Sequence, residues 1–216
     1  MPKYLLTNGL IVDGTRAPGY RGDVLLKDGR IALHPSFEAR KGAQVVDCTG
    51  LCIAPGFIDI HTHSDACALA SGAQASAPFQ GATVNIAANC GISIFPLNEK
   101  YGKEILNFCQ RTVEIMPKGE EPITCMQDYA QAMEQAPKRI HYGTLVGHGT
   151  LRGNVMGFHE REATDDELNN MCALLDRELQ AGAFGMSLGL IYPPSSYGNL
   201  KEFTALGKVL KKHGRF

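Results

Sequence analysis

The sequence predicts an α/β chain, an incomplete (β/α) barrel of about four of the usual eight strand-helix units behind a small antiparallel β portion. Two observations predict it. Short β-type runs separated by glycine turns are confined to the first 55 residues, whereas from Ala54-Pro55-Gly56 onward apolar strands alternate with longer helical segments. The expected boundary therefore divides residues 1–55 from residues 56–216. The four units counted before Phe216 are half of what a closed barrel requires.

In the first portion the β-type runs are 4–6, 10–12, 23–26, 30–33 and 44–46, punctuated by Asn8-Gly9, Asp13-Gly14 and Asp28-Gly29 as turns between strands. In the second, the strands fall at 56–60, 83–87, 142–147 and 184–188. Each is short and nearly continuous in apolar residues, as a strand covered on both faces requires. The helices carry start signals. Thr124 with Gln127 opens one that Pro137 stops, and Thr164 with Glu167 opens another whose Leu168, Met171, Leu175 and Leu179 share a face. Asn199 with Glu202 opens a third, which ends on Lys211, Lys212, His213 and then Gly214.

Composition excludes several classes of function. Twenty-one basic and 22 acidic residues leave a formal charge of -1, with no basic footprint for nucleic acid and no polybasic run for a membrane surface. No apolar run approaches the roughly 20 residues that span a bilayer, and the first residues do not read as a signal peptide. Seven cysteines without a disulfide spacing pattern point to reduced thiols in the cytoplasm. A small-molecule partner fits best.

The chemistry concentrates at two strand ends. His61 and His63 stand at i and i+2 after the apolar run Phe57-Ile58-Asp59-Ile60, so both imidazoles share a face at the C-terminal mouth of the sheet, as ligands for zinc or a similar ion. The next strand ends in Asn89-Cys90-Gly91, at the same mouth. A metal-bound thiolate there could join the pair, while a small core residue is the competing reading.

The chain resembles the N-terminal portion of the N-acyl-D-amino-acid deacylase (D-aminoacylase) family of amidohydrolases. The resemblance rests on APGFIDIHTHSD at 54–65, GAT and NCGIS within 81–93, VGHGTLRGNVMG at 146–157 and AGAFGMSLGLIYPPSSY at 181–197. It implies a barrel flanked by a small β-sandwich, one or two zinc ions, and hydrolysis of N-acyl-D-amino acids to a carboxylate and a D-amino acid. It also implies that His61, His63 and Cys90 are metal ligands, Cys90 standing where related hydantoinases use a modified lysine, and that Tyr192 lines the substrate pocket. A loop aromatic packed on Pro193 and Pro194 is the other reading of Tyr192. The fourth strand, 184–188, contains no lysine, which favours the cysteine branch.

The resemblance also implies ligands and a general base on later strands that the four counted units do not include. The alternatives are accordingly a catalytically inactive product with a partial metal site, or an amidohydrolase acting on cyclic amides. Two arrangements would complete or cover the open sheet: a second chain, or self-association through exposed edges. Among other residues, Asp65 is expected to orient a ligand imidazole or cap the following segment, His148 to sit at the mouth in a direct or hydrogen-bonding role, and Arg152 to pair with a carboxylate. Gly147, Gly149, Gly153 and Gly157 read as tight βα turns rather than a phosphate cradle. No ligand role falls to His213.

Overall fold

The structure, a computed structural model, describes residues 2–69, 76–110, 123–137 and 139–216. It divides into two compact units, Met1–Gly56 and Phe57–Phe216.

The first unit is one five-stranded sheet with a single helical turn. Its elements are β1 (Tyr4–Ile11), β2 (Tyr20–Lys27), β3 (Arg30–Leu33), α1 (Phe37–Arg40), β4 (Gln44–Asp47) and β5 (Cys52–Ile53). The order is β3-β2-β1-β4, with β5 also on β1. The sheet is mixed rather than antiparallel, because β4 and β5 both run parallel to β1. Nor is Asn8-Gly9 a turn. β1 runs straight through it, and the register against β2 slips between Leu6 and Gly9, with Asn8 at φ 64°. A dipeptide suited to positive φ serves a bulge as readily as a hairpin. Asp28-Gly29, at φ 51° and 71°, is the hairpin turn the sequence predicts.

The second unit is a parallel sheet with helices. In chain order it contains β6 (Phe57–Asp59), β7 (Ala82–Ala87), α2 (Gly102–Cys109), α3 (Met126–Gln135), β8 (His141–Thr144), β9 (Val146–Gly147), α4 (His148–Met156), α5 (Asp165–Gln180), β10 (Met186–Ser187) and α6 (Leu200–Lys212). β6, β7 and β8 pair in parallel, and β9 pairs in parallel with β10. β8 and β9 are one extended run interrupted at Leu145, whose N–H still reaches the Ala87 carbonyl. The four strand positions thus lie in chain order. Phe57, Ile58 and Ile60, on and just after β6, are exposed.

Two buried clusters hold the helices. Ile92, Ile94, Phe95, Ile105, Cys109 and Tyr129 gather α2 and α3 against the chain that leaves β7. Val146, Leu151, Leu168, Met171, Leu175, Leu179 and Leu206 gather α4, α5 and α6 on β9. The predicted face of α5 is the buried one, and truncating any of its leucines to alanine costs about 2–5 kcal/mol.

The caps separate local from distant control. At α5 the capping box is complete: Thr164 Oγ1 accepts from Glu167 N–H and the Glu167 carboxylate accepts from Thr164 N–H. Thr164→Ala is expected to lower stability by about 1 kcal/mol, read as a shift in the urea unfolding midpoint. Asn199 caps α6 through Glu202 N–H as predicted. At α3 the expectation fails, because Thr124 bonds Asp128 and not Gln127. Cys125, in the cap position, supplies no side-chain cap bond to the helix amides, and the first helical amide, Met126 N–H, donates to Glu178 of α5 at 2.6 Å.

Besides the single turn α1, two helices of the second unit lie outside the sequence expectation. α2 was not foreseen, and α4 replaces the predicted glycine turns, since Gly149 and Gly153 are helical. α4 is almost wholly buried, so packing overrides the weak helix propensity of its glycines.

Candidate metal centre

The segment after β6 carries the histidine pair and the turn after β7 carries Cys90. His61 Nε2 lies 3.3 Å from Cys90 Sγ, and one ligand atom from each of His61, His63 and Cys90 falls within 4.8 Å of the others. A tetrahedral zinc site with ligands at about 2.0–2.3 Å spaces its donors by roughly 3.3–3.7 Å. Small side-chain rotations close that gap. The donor set suits such an ion, and the buried His63 Nδ1 has no hydrogen-bond partner among the described residues. Burial, and then the neighbouring His61, hold the His63 pKa down and favour the neutral, ligating imidazole. Among the described residues, no carboxylate joins the group.

The Asn-Cys-Gly sequence has a physical reading that its spacing alone does not give. Asn89 Nδ2 donates to the carbonyls of Ile60 and Thr62, the neighbours of His61 on either side, and to Ile86. It therefore ties the histidine segment to the cysteine turn. Ala88, Cys90 and Gly91 all have positive φ, at 63°, 56° and 71°, and this curls the turn so that Cys90 Sγ faces His61. Non-glycine residues seldom adopt that conformation without external support. Here the Gly91 carbonyl accepts from Gly149 and Thr150 N–H at the start of α4. Gly149 is required there, because a Cβ would stand 2.9 Å from the Gly91 oxygen.

Asp65 does not orient an imidazole through any described bond. It is fully buried, its Oδ2 accepts from Ala88 N–H at 3.1 Å, and Tyr129 Oη donates to its backbone carbonyl. Burial pushes its carboxyl up to about 7.

His148 has the hydrogen-bonding role and not a ligand role. It opens α4, fully buried, with Nδ1 at 2.6 Å from Ser195 Oγ and Nε2 at 2.7 Å from Glu202 Oε1. Both ring nitrogens are occupied. Arg152, also fully buried, meets the other Glu202 oxygen and donates to the Arg161 carbonyl. Burial alone would raise the Glu202 pKa, but the hydrogen bonds from His148 and Arg152 and the guanidinium charge prevail and lower it. In the sequence Glu202 shows only as the capping partner of Asn199, and nothing local marks Ser195.

Tyr192 lies on the segment after β10, 37% exposed. Its ring stands close to Gly189, and Gly189 in turn lies against the Cys90 carbonyl, which a Cβ would meet at 1.8 Å. The glycine thus lets the Tyr192 segment and the cysteine turn touch backbone to backbone.

The chain is similar to several known proteins. Residues 44–205 match the family model described as "Amidohydrolase family". An N-acyl-D-aspartate deacylase of Alcaligenes xylosoxydans xylosoxydans is 38% identical over 96% of this chain and 41% of its own length. A D-aminoacylase of the same organism is 33% identical over 97% and 42%. Among solved structures, a D-aminoacylase with a binuclear metal center superposes with a TM-score of 0.84 at 34% identity, over 98% of this chain and 44% of that one. The N-acyl-D-glutamate deacylase of Bordetella bronchiseptica, complexed with zinc and a phosphonate mimic of the tetrahedral intermediate, gives 0.79 at 29% identity, over 99% and 44%. The chain spans about two-fifths of the length of the curated relatives it matches.

Proposed function

The chain belongs to the amidohydrolase family, and from that premise we propose that it carries the first ligands of a zinc centre that cleaves the amide of N-acyl-D-amino acids, giving a carboxylate and a D-amino acid. The observation that carries the reading is the convergence of His61, His63 and Cys90 from two strand ends. Bound zinc supplies a water of lowered pKa and a polarised amide carbonyl. His63 and His61 contribute neutral imidazoles, Cys90 a charged soft donor, and Asn89 fixes the histidine backbone against the cysteine turn. Tyr192 is the substrate-facing residue. Its partial exposure beside the cysteine turn supports that role.

The test is hydrolysis of N-acetyl-D-aspartate, N-acetyl-D-glutamate and neutral N-acetyl-D-amino acids, with the L-enantiomers and a hydantoin as controls, by the protein that contains this chain. The expected result is zinc-dependent, D-selective release that disappears in His61→Ala. Turnover of the hydantoin, or of L-substrates alone, overturns the reading.

A second reading concerns these 216 residues by themselves: they hold metal without turning substrate over. It is favoured by the absence, among the described residues, of a carboxylate at the ligand group to act as general base. Turnover by this chain alone, lost in His61→Ala, overturns it.

A further inference from the structure

The cysteine turn is held by more than its own motif, and the tie comes from an unexpected strand. Ser187 lies on β10, 99 residues from Ala88, and is buried. Its hydroxyl donates to the Ala88 carbonyl at 2.5 Å and accepts from Gly91 N–H at 3.0 Å. One hydroxyl therefore spans the turn from the residue two before Cys90 to the residue after it. From the other side, Asp65 Oδ2 accepts from Ala88 N–H. Ala88 N, Ala88 O, Gly91 N and Gly91 O thus all have partners outside the turn, supplied by Asp65, Ser187 and the first amides of α4.

This matters because the turn places Ala88 and Cys90, two residues with a Cβ, in the left-handed region, where an L side chain is disfavoured. Free to relax, the turn would swing the thiol away from the imidazoles. Resting on the metal reading above, we propose that Ser187 and Asp65 are positioning residues for the metal centre, clamping the Ala88–Gly91 turn so that the Cys90 thiolate is set toward His61 and His63 before metal arrives. The fourth strand then acts on the metal without a ligand of its own, through the backbone of the cysteine turn. Partners of this outer kind typically carry 10–100-fold in metal affinity.

Cobalt(II) titration of the full chain tests the clamp, reading both affinity and the thiolate-to-cobalt charge-transfer absorption. Ser187→Ala and Asp65→Ala are each expected to weaken cobalt binding by about 10–100-fold and to diminish the charge-transfer band. Ser187→Thr, which keeps the hydroxyl, and Asp65→Asn, which keeps an acceptor for Ala88 N–H, are expected to recover most of both. In a Cys90→Ser background Ser187→Ala is expected to have a much smaller effect, since the thiolate is gone and the histidines depend on the turn only through the Asn89 amide. Loss of cobalt binding there as well would mean general loosening and would overturn the proposal, as would wild-type affinity and band in Ser187→Ala and Asp65→Ala. Circular dichroism reports whether each variant folds. If Ser187→Ala does not, the Asp65→Asn and Asp65→Ala comparison carries the test. A wild-type chain that binds cobalt without any thiolate band would refute the metal reading itself, and the clamp with it, whereas a wild-type band left intact by the clamp variants refutes the clamp alone.

Discussion

Cys90→Ser is expected to lower zinc affinity by on the order of 100-fold or more, beyond the 10–100-fold typical of residues that only support a ligand. The reasoning starts from the donor set. Two neutral imidazoles and one thiolate leave Cys90 as the sole negative charge among the three donors that converge here. A serine hydroxyl has similar shape, so the turn, held by Asp65, Ser187 and α4, has no reason to move. The loss is then one of ligand chemistry and not of fold. Competition against a chromophoric chelator measures it, and affinity should fall as pH is lowered, because ligands must shed protons to bind. Serine and wild type binding zinc alike would remove Cys90 from the ligand set.

The second large effect lies away from the metal. Glu202→Gln is expected to cost about 3–5 kcal/mol, because it leaves the fully buried Arg152 guanidinium without its countercharge. The same change weakens the hold on His148, which joins the start of α4 to Ser195 and to α6. Urea unfolding provides the measurement. The pH dependence has a definite sign. The folded pKa of Glu202 lies below its unfolded value, so its contribution is fully present above the usual glutamate pKa of about 4.3 and is lost as pH falls through the lower folded value. Wild type should therefore lose stability in acid over that window, and Glu202→Gln should lose less. A variant as stable as wild type at neutral pH would mean that the network contributes little.

These two sites mark what was legible in the sequence. His61 and His63 were readable because two residues apart at a strand end is a local relation, and Cys90 because it follows the next strand at the same mouth. The capping box of α5 is local too, spanning Thr164 to Glu167. Ser187 was visible only as a position that lacked lysine. Its contacts reach 99 residues back, and no periodicity encodes such a pairing. Glu202 and Arg152, 50 residues apart, share that opacity. α4 was hidden for another reason: its glycines argue against a helix, and only burial against the cysteine turn shows that Gly149 is there for close approach. Asn8-Gly9 misled because positive φ is common to the turn and the bulge.

The cap of α3 has a kinetic consequence. Its opening amide is satisfied by Glu178, 52 residues further along the chain, and not by a neighbour. A helix of 10 residues is below the length that sustains itself in water. Nascent α3 should therefore fray until α5 has been made and docked, so the order of assembly in this unit does not follow the order of synthesis. α5, carrying its own complete cap, is the element able to form first, and α3 is ordered on it afterwards.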